Sequence, residues 1–145
     1  MQAFGRILVP VDGSKNSDKA IAAAVDITSV FHGQIDFLYV AYFNGNTDDP
    51  AEQISWLPDE FTGSIQQISQ VVLQHAVKQI STDSNYMTHT ATGIPAKQIL
   101  KFAKDHASDL IVIGGRGLGV VEGFLLGSVS QEVLEHARCP VLIVK

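Results

Sequence analysis

Six glycines fall within the seventeen residues from Ile111 to Gly127, in the stretch IVIGGRGLGVVEGFLLGSVSQEVL that runs on to Leu134. A strand that runs into glycines and then into a helix opening on Gly127-Ser128 is one way to gather backbone N–H groups around an anion; an ordinary surface loop is the plainer way to use the same residues. Gly114 and Gly117 fall where the apolar run ends, nine residues follow, and Gly127-Ser128 open the next helix with Ser128 as a candidate N-cap. Phosphates placed there would meet amides from both ends of the loop and the positive end of a helix dipole. The loop lacks the Gly-Lys-Ser/Thr of a Walker A motif, and from Gly115 the run G-R-G-L-G is one residue short of G-x-G-x-x-G. What remains is recognition by N–H groups, with Arg116 as the one local cation.

The elements that must position this loop follow from periodicity. Arg6 to Asp12 is a short apolar run ending in the turn-forming Asp12-Gly13-Ser14 and reads as a buried strand. Ile21, Ala24, Val25, Thr28 and Phe31 mark one face of a helix over Ser17 to Phe31, which Gly33 ends. Ile35 to Phe43 is a second strand, and the polar, proline-punctuated segment 44–60 after it is expected to be a long loop or lid, with Trp56 as a lid residue or a partner contact. Phe61 to Ile80 predicts a second helix. Tyr86 to Thr92 predicts the least apolar strand, placed at an edge. Pro95 opens a third helix whose apolar face is Ala96, Ile99, Leu100, Ala103 and Ala107. Asp109 to Ile113 is the fourth and most apolar strand, Val129, Val133, Leu134 and Ala137 form the apolar face of the fourth helix, and Pro140 to Val144 is the fifth strand.

Five apolar strands separated by amphipathic helices predict a doubly wound α/β domain, with a parallel sheet covered by helices on both faces. Ligands of such sheets bind beyond the carboxyl ends of the strands, where strand order reverses. The residues to inspect are then Asp12 to Ser14, the region Val40 to Phe43, and the glycine loop. The 145 residues fit one domain spanning 1–145. A net charge of −5 with scattered Lys and Arg argues against a nucleic-acid partner. No run approaches the length of a membrane span and the N-terminus carries no basic leader, so a cytoplasmic protein without membrane contact is expected. Cys139 stands alone and reads as a structural thiol, and the five histidines, without metal-ligand spacing, read as helix-end or surface residues.

At these residues the chain resembles the universal stress proteins, whose nucleotide-binding members carry G-x2-G-x9-G-[ST]. Gly114, Gly117, Gly127 and Ser128 match every fixed position, and "ILVPVDGS", "DLIVIGGRG" and "LLGSVSQEVLEHARCPVLIVK" extend the resemblance over nearly the whole chain. It implies a sheet of order 3-2-1-4-5, similar to the adenine nucleotide α-hydrolase-like fold. It also implies that Pro10, Val11 and Asp12 lie along a nucleoside, with Asp12 accepting a ribose hydroxyl or assisting a Mg ion, and that Val40 offers its backbone to adenine. Gly114, Gly115, Arg116 and Gly117 would border ribose and phosphates, and Gly127, Ser128, Val129 and Ser130 would close on the phosphates of ATP, ADP or AMP. Two positions depart from the family pattern: Gly115 replaces a small hydroxyl residue, and Glu122 falls where relatives carry a basic one.

Each residue also has a local explanation: Asp12 as a cap of its turn, Ser128 as an N-cap, Lys15 and Lys19 as solvated charges. The resemblance implies a module that binds adenine nucleotide and acts in stress response through a client protein. The alternatives are a slow Mg-dependent ATPase and a dimeric stress factor that uses no nucleotide. The apolar C-terminal strand, at a sheet edge in this order, is expected to pair with a second copy through residues 140–145 to form a homodimer.

Overall fold

A computed structural model describes residues 4–41, 65–116 and 126–145. Nine elements alternate along it: β1 Arg6–Pro10, α1 Lys15–Phe31, β2 Gln34–Ala41, α2 Ile65–Val77, β3 Tyr86–Thr92, α3 Pro95–Asp105, β4 Leu110–Gly114, α4 Ser128–His136 and β5 Val141–Val144. The strands form one sheet of order β3-β2-β1-β4-β5, and each neighbouring pair is parallel. The least apolar strand, β3, is at an edge, as expected from its composition.

Because side chains of a strand alternate between faces, the three central strands each feed two cores. Ile7 and Val9, Ile35, Phe37 and Tyr39, and Leu110 and Val112 point to one side, where they pack against Ala20, Ile21 and Ala24 of α1 and Ile68, Val72, Leu73 and Ala76 of α2. Leu8, Leu38, Ile111 and Ile113 point to the other, against Ala96, Ile99 and Phe102 of α3 and Val133 of α4. The expected three-layer architecture is thereby present, with α1 and α2 on one face and α3 and α4 on the other.

Element ends differ from expectation in instructive ways. The first helix closes on His32, which takes the left-handed conformation (φ 55°) and donates its N–H to Thr28, so the stop lies one residue before Gly33. Gly33 is required for another reason: a Cβ there would collide with the backbone carbonyl of Phe4. In α4, Leu134 was expected on the apolar face, but it is exposed while Val133 is fully buried. The nine-residue helix has room for a narrow buried stripe, and Ser130 shares that stripe with Val133.

Candidate functional site

Strand order reverses between β1 and β4, which lead away from the centre of the sheet in opposite directions. Ligands of such sheets bind beyond the carboxyl ends of these two strands, and the turn after β1 and the residues from Gly114 to Arg116 lie there. After Pro10 the chain turns through Asp12-Gly13-Ser14, with Gly13 at φ 84°. The Asp12 Oδ1 atom accepts the Ser14 N–H (2.9 Å), the Asp12 N–H donates to Ser17 Oγ (3.3 Å), and Ser14 Oγ accepts the Ser17 N–H (3.1 Å) as the N-cap of α1. The local, turn-capping role of Asp12 is thus real.

Gly114 ends β4 against the first turn of α1. A Cβ there would lie 2.8 Å from the backbone carbon of Asn16 and 2.9 Å from its oxygen, so only glycine allows this helix to sit on this strand. Gly115 then continues the ladder, donating its N–H to Val144 (2.8 Å), while its carbonyl accepts the Gly127 N–H (2.7 Å). The buried Ser130 hydroxyl lies 2.8 Å from that carbonyl and 3.0 Å from the carbonyl of Gly127. These bonds pin the start of α4 to the end of β4.

Two expectations shift as a result. The N-cap of α4 is Gly127, without a side-chain cap bond, and Ser128 is the first helical residue. The Gly127 N–H is taken by Gly115, so the donors of the first turn begin one residue later, at Ser128, Val129 and Ser130, whose N–H groups have no partner within a helix. The Ser130 side chain serves as a strut between carbonyls; its main-chain N–H faces the helix end. Arg116 follows directly, and Gly117, the 44–60 loop, Trp56 and Glu122 lie outside the described residues. Val40 lies near the carboxyl end of β2, level with Ala91 of β3, and packs at the margin of the second core.

Sequence reasoning missed one polar cluster altogether. Asp36 in β2 is fully buried, and its Oδ2 accepts from both Nε (3.1 Å) and Nη2 (2.9 Å) of Arg6. Its Oδ1 accepts from Gln34 Nε2 (2.9 Å) and pairs with His89 Nε2 (3.0 Å). His89 was expected to be a helix-end or surface residue; it is instead a mostly buried strand residue whose ring packs on Phe102, with centroids 4.6 Å apart. This cluster begins near the amino ends of the strands, at the end of the sheet opposite Gly114 and the start of α4. Among the described residues no group of three or more His, Cys, Asp or Glu side chains is arranged to hold a metal.

Strand order and helix placement together define a doubly wound α/β domain with a helix N-terminus at its topological switch point. The chain belongs to the universal stress protein family, whose model matches residues 3–145. It is 34% identical over 144 residues to universal stress protein MJ0531 of Methanocaldococcus jannaschii, an alignment covering 98% of this chain and 82% of the relative. It is 33% identical over 148 residues to YxiE of Bacillus subtilis, covering 98% and 99%. Among solved structures, the protein MJ0577 superposes with a TM-score of 0.81 at 22% identity, covering 99% of this chain and 97% of that one, a likeness of fold. A universal stress protein crystallised in complex with cAMP superposes with a TM-score of 0.67 at 26% identity, covering 99% and 98%. No helix of the described residues is long and apolar enough to cross a membrane.

Proposed function

We propose that this protein is an adenine-nucleotide-binding module that reports nucleotide state to a client protein in a stress response. One observation carries the reading: the first turn of α4, pinned beside Gly115 at the end of β4, presents three N–H groups that no carbonyl of their own helix accepts, those of Ser128, Val129 and Ser130. The likeness to a structure crystallised with cAMP supports the same class of ligand. In this reading the phosphates of ATP, ADP or AMP lie on the α4 amides with Arg116 and Gly117 beside them. Pro10, Val11 and Asp12 border the nucleoside and Val40 approaches the base. Asp12 accepts a ribose hydroxyl or assists a phosphate-bound Mg ion. The role is binding, in the cytoplasm, because hydrolysis needs a cation for developing charge and an oriented water, and Asp12 is partly engaged by its own turn.

Gly127 supplies the test. Among the described residues an added Cβ would meet nothing closer than 3.6 Å, and the backbone there (φ −72°, ψ 162°) is open to any residue. Gly127→Val should therefore melt like the parent protein, while its β-branched side chain stands over the amides of the first turn. Calorimetric titration with AMP, ADP and ATP is expected to show binding to the parent and at least a ~100-fold loss in the variant, equivalent to about 2.7 kcal/mol. Undiminished affinity in a folded variant would overturn the site, and phosphate release by the parent on the time scale of binding would make it an ATPase instead.

A further inference from the structure

Ala20 and Ala24 of α1 are fully buried against the sheet, and Asn16 stands one turn before them in the same row, since side chains four residues apart share a helix face. The row leaves the sheet at Asn16. The surface it meets there is Gly114, the last residue of β4: a Cβ on Gly114 would lie 3.0 Å from the Asn16 Cβ and 2.9 Å from the Asn16 carbonyl oxygen. Asn16 is half-buried, yet its carboxamide forms no hydrogen bond among the described residues. The side chains that shape this turn are those of Asp12, Ser14 and Ser17, and Asn16 takes no part. Its direction follows from the fold. Because α1 runs back along the sheet between two parallel strands, its N-terminus lies at their carboxyl ends, and helical side chains lean toward the N-terminus of their own helix. The Asn16 carboxamide is thereby carried toward the region that Asp12 and Gly114 border.

We infer that Asn16 reads the sugar of the bound nucleotide, an assignment that rests on the nucleotide-binding reading above. In that reading the phosphates lie on the α4 amides and the nucleoside along Pro10 to Asp12, which leaves the ribose beside Gly114. A ribose hydroxyl is donor and acceptor at once. It gives its proton to the Asp12 carboxylate, and its oxygen accepts an N–H of the Asn16 carboxamide. A deoxy sugar lacks this group and leaves the carboxamide as unpartnered as it is in the free protein. The charged phosphate oxygens are served instead by the α4 amides and Arg116, whose charge a carboxamide does not match.

Calorimetric titration of the intact protein with AMP, 2′-deoxy-AMP and 3′-deoxy-AMP tests the assignment. The parent should bind AMP about tenfold or more tightly than one of the two deoxy analogues, the loss expected for two hydrogen bonds to one hydroxyl. Asn16→Ala should weaken AMP by about three- to tenfold and leave that analogue's affinity unchanged, so the preference shrinks by the same factor, as for two groups that meet. Alanine is well suited to a helix, so the variant should melt with the parent. A parent that binds AMP without preference, an unchanged preference in Asn16→Ala, or an equal loss for all three nucleotides would overturn the role of Asn16 while leaving nucleotide binding in place. A parent that binds none of the three would overturn the nucleotide reading itself, and the sugar assignment with it.

Discussion

Asp36 is the residue with most at stake in the fold, because a fully buried carboxylate is tolerated only when its lone pairs are filled. Four donors from Arg6, Gln34 and His89 fill them. Removing the carboxylate leaves Arg6 and His89 without their shared acceptor, so Asp36→Ala is expected to cost about 3–5 kcal/mol in urea unfolding. A midpoint within ~0.5 kcal/mol of the parent would mean that the cluster is incidental. The acid was visible in the sequence as a lone charge inside IDFLYV, yet its charged and ring partners Arg6 and His89 were not, since they come from the start of β1 and the middle of β3 and only the strand order joins them. The glycines were the opposite case: Gly114 and Gly127 were legible as a candidate site because their spacing is local, but the capture of the Gly127 N–H by Gly115 was not.

Cys139 gives a prediction in pH. Burial pushes its thiol above the usual 9.0, and the nearby Asp109 carboxylate pushes the same way. Alkylation at pH 8 should consequently be slower in the folded protein than in the urea-unfolded chain, with half-maximal rate reached only above pH 9.0. The folded thiol keeps its proton to higher pH than the unfolded one, so the associated stabilisation is complete below pH 9.0 and is lost as pH rises through the folded-state value. A half-rise at or below pH 9.0 would contradict the burial argument.

At the scale of elements, the change of period from strand to helix made all nine elements readable, and Pro95 marked the start of α3 to the residue. Helix ends were less readable because the left-handed positions after α1 and α3 carry His32 and Ala107 where glycine is the usual choice. Ala107 has φ 51° and sits between two closing bonds, its own N–H to Lys104 and that of Ser108 to Ala103. An alanine in this conformation stores strain that glycine removes, less the extra freedom glycine has in the unfolded chain. Ala107→Gly should therefore stabilise the protein by about 0.5–1 kcal/mol, raising Tm by about 2–4 °C by calorimetry. A lower Tm would show that the turn is held by contacts with the alanine methyl.

At the scale of the molecule, the question is what becomes of β5. The strand order places it at an edge, paired with β4 on one side. Pro140 and Val144 turn their carbonyls toward β4, accepting from Ile111 (3.0 Å) and Gly115 (2.8 Å), so Leu142 shares their direction. By alternation, Val141 and Ile143 aim their N–H and carbonyl groups at the open side. The same strand exposes Leu142 at 39%, and an apolar edge with free donors is a template for another strand. We propose that it pairs antiparallel with its own copy, joining residues 140–145 of two protomers about a twofold axis. Two substitutions separate the ladder from the side chains. Ile143→Pro deletes an outward donor without touching the bonds to β4, and Leu142→Glu places like charges near the axis from a position already half in water. Light scattering at micromolar concentration should report a dimer for the parent and a shift toward monomer for both variants, with helical circular dichroism retained. A monomeric parent, or folded variants that stay dimeric, would rule out this edge as the interface.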